Sequence, residues 1–286
     1  MNEAFFSILT ISAPLLFATL GALCSEYAGV LAVFMDGTIT LAGFLCIMAT
    51  AVTGSPLLGF LFSAGCTVLL LFAVSVFTEK TRANPFITGL SINLFAAGIT
   101  SWLSVMLYGT RGVISLTEIS GRSASFVTPF FSSSAMPAAA LAAAVLLFFI
   151  VRYTSFGLNL RISGAAPDVL TIRGISPSRC RTASWCIAGF FAACAGAALT
   201  LRLGAFVPNI SSGRGWTALA AVYLGYRNPL LCIPAVLIFA SAEYITTVLQ
   251  GTGNIPATLI LGLPYALALL VFILAPAEKA EKQERP

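Results

Sequence analysis

The sequence predicts an all-α, polytopic membrane protein, and three observations carry that prediction. Of 286 residues, 58% are hydrophobic and only 9% are charged, and the mean hydropathy is +0.97. A soluble domain of this size needs far more charge on its surface. The apolar runs are continuous rather than alternating in ten-residue segments, which favours helices over a barrel. Charged residues fall in the breaks between runs, with Arg152–Arg181 the longest polar interruption. The length allows roughly eight or nine spans of about 20 residues, and eight to ten transmembrane helices.

The first run, about Phe5–Cys24, is interrupted by Glu26 and Tyr27. Ala28–Val52 follows with Asp36 inside it, and Thr53–Pro56 (TGSP) reads as a turn. A third run covers Leu57–Phe77; the break Glu79–Pro85 leads to a fourth, Phe86–Tyr108. Gly109–Ser134 is a long polar loop, and the alanine-rich run Ala135–Val151 is the fifth. In Arg152–Arg181, Gly157 and Gly164 are expected to break the chain, Pro167 to begin a short helix and Gly174 to end it. The next span, about Thr182–Leu201, carries Gly189, Ala193, Gly196 and Ala197, small residues that allow close helix approach. Trp216–Tyr226 is short for a crossing, so the non-helical Val207–Arg214 is expected to dip into the membrane before it. Two more spans, about Leu230–Leu249 and Ala257–Leu274, precede a charged tail at 277–286.

Orientation follows from the positive charges. With Glu79–Pro85, Arg152–Arg181, Arg227 and the tail inside, 11 of the 15 lysines and arginines face the cytoplasm. Nine crossings then put the N-terminus outside and 109–134 in an extracytoplasmic loop. FMDGTITLAGF (34–44) and SSGRGWTALAAVYLG (211–225) each pair a glycine-bearing irregular start with a small-residue helix. They run in opposite directions in this topology, which suits an inverted repeat with a site between the halves.

The chemistry present is sparse. No GxxxxGK[ST] occurs, so the chain has no P-loop for ATP. There is no histidine, hence no imidazole base for Ser91 in its GxSx-like setting, and no HExxH. The seven cysteines form no CxxC pair and read as small core residues. The net charge of +5 sits at span ends, where it sets topology rather than marking a nucleic-acid surface. Asp36, Glu243 and Glu26 are the acids set in apolar surroundings; such a charge needs a cavity or a partner. Asn93 is the next deep polar residue, a helix–helix hydrogen bond being its plainest role. Phe206, Trp216, Tyr223 and Trp102 are aromatics near the expected cavity, or members of the interfacial belt.

Taken together, LLFATLGALCSEYAGVLAVFMDGTITLAGF, RANPFITGLSINLFAAGITSWL, TSFGLNLRISGAAPDVLTIRGISPSR, AGFFAACAGA and GRGWTALAAVYLGYRNPL resemble permease subunits of bacterial ABC importers, of the branched-chain amino acid, simple-sugar and nucleoside type. The matching stretches cover most of the chain in the family's order. Asp36 stands where the subgroup usually has Glu, and Gly164-Ala165-Ala166-Pro167 replaces the usual Gly-Glu-Asn-Pro. The resemblance implies a permease domain over 1–276 in the bacterial cytoplasmic (inner) membrane. It implies a pair of permeases, identical or homologous, two ATPase subunits that use the ATP, and an extracytoplasmic substrate-binding protein; this chain itself would bind no cofactor or nucleic acid. It also implies that a cytoplasmic coupling helix docks on the ATPase, here Gly164–Gly174 with Ala166, Pro167 and Asp168 at its start and Arg161 and Arg173 flanking. Asp36, Asn93, Phe206, Asn209, Trp216 and Glu243 are the expected residues of the solute path. A nucleoside is the first solute expected, then riboflavin or a simple sugar. The alternatives are an ion-coupled secondary transporter using Asp36 or Glu243 as a proton relay, a membrane-embedded enzyme, and a structural membrane component.

Overall fold

A computed structural model describes residues 2–117, 135–252 and 266. Apart from residue 266, the expected span 257–274, the tail and 118–134 of the polar loop lie outside them. The described residues form ten helices: α1 (Asn2–Tyr27), α2 (Met35–Thr53), α3 (Pro56–Thr81), α4 (Pro85–Tyr108), α5 (Ala135–Tyr153), α6 (Ser155–Ala165), α7 (Pro167–Ile172), α8 (Pro177–Leu203), α9 (Arg214–Leu224) and α10 (Pro229–Thr252). Two-residue strands β1 (Ile114–Ser115) and β2 (Ala205–Phe206) pair antiparallel. Seven of these helices are long and apolar enough to cross a membrane: α1–α5, α8 and α10.

Proline and glycine set most of the boundaries. Proline opens α3, α4, α7, α8 and α10, where its missing N–H costs nothing and its fixed φ suits the first turn. At α4, Asn84 Oδ1 also accepts from Phe86 N at 2.9 Å. Gly54, Gly109 and Gly204 close α2, α4 and α8 in the left-handed conformation. The interruption expected at Glu26 and Tyr27 is the end of α1, and α2 begins only at Met35.

α1, α2 and α8 form the centre. The apolar stretches of α1 and α2 are 72% and 67% buried, whereas those of α3 and α4 are 28% and 22% buried, so the latter two lie at the periphery of the chain. The expected small-residue stripe of α8 lies at the central contact. A Cβ on Gly196 would stand 2.7 Å from Gly43 N and Ile39 O of α2, and Ala193 packs with Ala42 and Ala64. Phe34 and Trp185, both fully buried, pack with ring centroids 4.6 Å apart and planes tilted by 36°, filling the core beside the start of α2.

In the arginine-rich stretch, Pro167 starts a six-residue helix and Gly174, at φ +77°, follows its end, as the sequence predicts. Gly157 and Gly164 do not break the chain. Both lie within α6, and they are glycines because backbone approaches them closely. A Cβ at Gly157 would meet Val151 Cα at 2.4 Å; one at Gly164 would meet Tyr27 O at 2.4 Å and Gly29 N at 2.7 Å. α6 is thus seated, backbone to backbone, on the connection between α1 and α2.

Candidate functional site

The site is built where two helices begin inside the bundle. α2 is preceded by the irregular segment 28–34, and α9 by the turns of 207–213, in which Asn209, Ser212 and Gly213 take positive φ of 56°, 47° and 80°. Their first turns meet. Asp36, in the first turn of α2, accepts at Oδ1 from Ser211 Oγ at 2.6 Å and from Gly215 N at 3.1 Å. The carboxylate therefore lies at the positive ends of two helices at once, which suits a negative charge away from bulk water. Gly215 must be glycine: its Cβ would stand 2.4 Å from Asp36 N. Asn93 of α4 caps the other start. Its Oδ1 accepts from Gly37 N and its Nδ2 donates to Val33 O, each at 2.8 Å.

From this junction α2 and α9 run to opposite ends. The C-terminal end of α9 meets that of α1, where Tyr223 Oη donates to the buried Glu26, Arg227 lies 3.8 Å from the same carboxylate and over the Tyr223 ring, and Tyr27 Oη donates to Arg227 O. α6 sits at this end through Gly164, as do the last turn of α3 and the first of α8, tied by Glu79–Arg181 at 3.5 Å. α2 instead ends at the start of α3, the opposite end, where β1 and β2 pair. The stretches 34–44 and 211–225 thus hold the starts of α2 and α9, which meet and run in opposed directions.

A cavity of about 220 Å³ opens on the β1–β2 side of this junction. Asp36, Gly37 and Thr40 form one wall, and Asn93, Ala97, Thr100, Ser101 and Ser104 of α4 form another. Arg111, Phe206, Pro208 and Asn209 close it from the β1–β2 end. Four of the six residues expected on a solute path thus come together: Asp36, Asn93, Phe206 and Asn209. Trp216 and Glu243 are elsewhere. Trp216 is exposed on the side of α9. Glu243 of α10 pairs with Arg214, whose Nη1 also donates to Ile210 O and Ser211 O at 3.3 Å. Arg214 is therefore the partner of a bundle carboxylate, not a free charge in an outer loop. Of the other aromatics, Trp102 is 57% exposed on α4, and Tyr223 serves Glu26 at the far end. Phe206 is 1% exposed, its ring set edge-on to Phe44 at 5.1 Å.

Beyond Asn93, the hydroxyls of α4 (Thr100, Ser101 and Ser104) are not among the expected path residues, although their signal is present in the sequence. Asn93, Ala97, Thr100 and Ser104 recur at helical spacing and mark one small, polar face in an apolar helix. Arg111 carries no such signal, because nothing local tells a loop arginine over a cavity from one in solvent. At the far end, α7 anchors through Leu170, fully buried, and leaves Val169 and Ile172 exposed, the latter at 86%. Arg161, Asp168 and Arg173 are exposed around it. The seven thiols are free and five are buried, and no metal-binding cluster occurs among the described residues.

The nucleoside ABC transporter permease protein NupC of Lactococcus lactis is 26% identical over 94% of this chain and 90% of its own length. The guanosine ABC transporter permease protein NupQ of Bacillus subtilis is 27% identical over 92% of this chain and 88% of its own. A putative glucose ABC transporter permease protein, TsgC13 of Haloferax volcanii, is 29% identical over 79% of this chain and 71% of its own. No solved structure gives a significant match. The family model described as branched-chain amino acid transport system / permease component matches residues 4–276, nearly the whole sequence, and the chain belongs to that family.

Proposed function

We propose that this permease is the membrane-spanning subunit of an ATP-binding cassette importer in the bacterial cytoplasmic membrane, and that the cavity above Asp36 is its solute path. The observation that carries the reading is the junction itself: a cavity bearing Asp36, Asn93 and several hydroxyls on its wall, whose floor is the meeting point of two oppositely directed, interrupted helices, in a chain otherwise apolar. The solute is a nucleoside, or failing that a simple sugar, in keeping with the names of the relatives cited above. Those names give riboflavin no support.

Energy comes from a separate ATPase, since the sequence has no P-loop. The end bearing α6 and α7 faces the cytoplasm, in line with its arginines. There α7 offers Val169 and Ile172 as apolar contacts flanked by Arg161 and Arg173, the surface for the ATPase. A push on α7 passes to α6, through Gly164 to Tyr27–Gly29, along 28–34 to the first turn of α2, and so to Asp36 and the start of α9. A second permease, identical or homologous, completes the path, and an extracytoplasmic binding protein loads it from the β1–β2 side.

A proton-coupled carrier fits the geometry less well. Asp36 holds the start of α9 with Oδ1, and Glu243 is ion-paired to Arg214, so both proposed relays have structural partners. The test is uptake of radiolabelled guanosine and glucose into proteoliposomes holding the permease, its ATPase and its binding protein. ATP-dependent uptake is expected. Uptake driven by a proton gradient without the ATPase would overturn the proposal.

A further inference from the structure

The polar atoms lining the cavity divide into two sets. In one set the groups are spent on the protein. Both polar atoms of Asn93 are engaged, and the hydroxyls of Thr40, Thr100 and Ser104 donate to Asp36 O, Ala96 O and Thr100 O at 3.1, 2.7 and 2.6 Å. In the other set the groups have no partner among the described residues: Asp36 Oδ2, the Ser101 hydroxyl, the Asn209 amide and the Arg111 guanidinium.

We propose that Asp36 Oδ2 and Ser101 read the ring hydroxyls of an uncharged, sugar-bearing solute, with Asn209 and Arg111 holding its remainder at the cavity mouth. The inference rests on the cavity being the solute path. A carboxylate oxygen only accepts, so the solute must bring donors to it, and a hydroxyl can donate to Asp36 while accepting from Ser101. One carboxylate and one guanidinium leave the lining with no net charge, and a phosphorylated solute would meet Asp36 at the floor with like charge. Phe206 offers no open ring face, so among the described lining residues a planar base has nothing to stack on, and the hydroxyls are left as the groups to recognise. A nucleoside would enter by its ribose and a hexose by its own ring.

The experiment compares initial uptake rates of guanosine and 2′,3′-dideoxyguanosine by the assembled transporter in proteoliposomes, for wild type, Asp36→Asn and Ser101→Ala, with glucose as a third solute. Asp36→Asn keeps an oxygen for Ser211 and Gly215 but turns the free acceptor into a donor. Ser101→Ala removes an exposed, unpartnered hydroxyl and leaves the helix otherwise intact. Any preference of the binding protein is common to all three and cancels in the ratio. Each substitution is expected to shrink the guanosine-over-dideoxyguanosine advantage in kcat/KM by roughly tenfold, mostly by lowering guanosine uptake. An advantage unchanged in both variants, with guanosine still transported by wild type, overturns this inference alone. Wild type that takes up neither guanosine nor glucose overturns the solute reading along with it.

Discussion

Replacing Gly215 with alanine strikes the junction at its tightest point. The new Cβ would lie 2.4 Å from Asp36 N, 2.7 Å from its Cα and 2.8 Å from its Cβ, all atoms held by the first turn of α2. Carbon–nitrogen contact needs roughly 3.5 Å, so the start of α9 must retreat by about 1 Å. That stretches the 3.1 Å bond from Gly215 N to Asp36 Oδ1 beyond hydrogen-bonding range. The overpacking costs about 1–3 kcal/mol, and the lost bond to a charged acceptor about 1.5–3 kcal/mol. A total of roughly 2.5–6 kcal/mol corresponds to a fall in Tm of at least about 5 °C. The assay is thermal unfolding in detergent, followed by a thiol-reactive dye that reports exposure of the five buried cysteines. Gly98→Ala is the control, because nothing lies within 4 Å of a Cβ there. A Tm for Gly215→Ala within about 2 °C of the Gly98→Ala protein would refute the reasoning.

At the coupling end, Gly164→Ala would drive a methyl group against Tyr27 O and Gly29 N and lift α6 off the α1–α2 connection. It is expected to leave membrane insertion and ATPase co-purification intact while cutting ATP-dependent uptake severalfold or more, read as uptake per ATP hydrolysed. Replacing Ala166–Leu170 with Gly-Ser residues is expected to abolish ATPase co-purification with insertion unchanged, as judged by pull-down from membranes. Glu243→Leu strands the Arg214 guanidinium in the bundle and is expected to cost about 1–3 kcal/mol, discounted for partial exposure. Arg214→Met combined with Glu243→Leu is expected to recover most of that in the same melting assay, and non-recovery would mean the two charges do not act as a pair.

Much of the fold is legible because membrane helices announce themselves by apolar length and end at residues of fixed backbone preference. Pro56, Pro85, Pro167 and Pro177 stand at helix starts, and Gly54, Gly109 and Gly174 at or just past helix ends, where local chemistry alone puts them. The small-residue stripe of α8 is legible for a related reason, since close packing demands it. Gly157 and Gly164 show the limit. Within a polar stretch, a glycine that breaks a helix and one that admits a neighbouring backbone look the same, and only the long-range contact to Tyr27 and Gly29 decides. The site is legible in part. Asp36 and Asn93 stand out as polar residues in apolar runs, but their partners lie 179 and 56 residues away. Glu243 stands out for the same reason, which is why the sequence places it on the path. Its pairing with Arg214, 29 residues before it, was hidden because an arginine beside a break in the chain reads as a topology signal. Thr40, Ser101 and Arg111 are ordinary in composition and acquire meaning only from the cavity they share.

The central claim, that the cavity above Asp36 is a path opened to one side and then the other by ATP, is tested most directly at Ser101. A single cysteine placed there by Ser101→Cys, in a chain whose seven native cysteines are replaced, reports access from each side of a proteoliposome. In the assembled transporter without nucleotide, a membrane-impermeant maleimide added outside is expected to label it, saturating solute to protect it, and trapping the ATPase in its nucleotide-bound state to change the outside labelling rate at least severalfold. Labelling that ignores both solute and nucleotide would contradict the account.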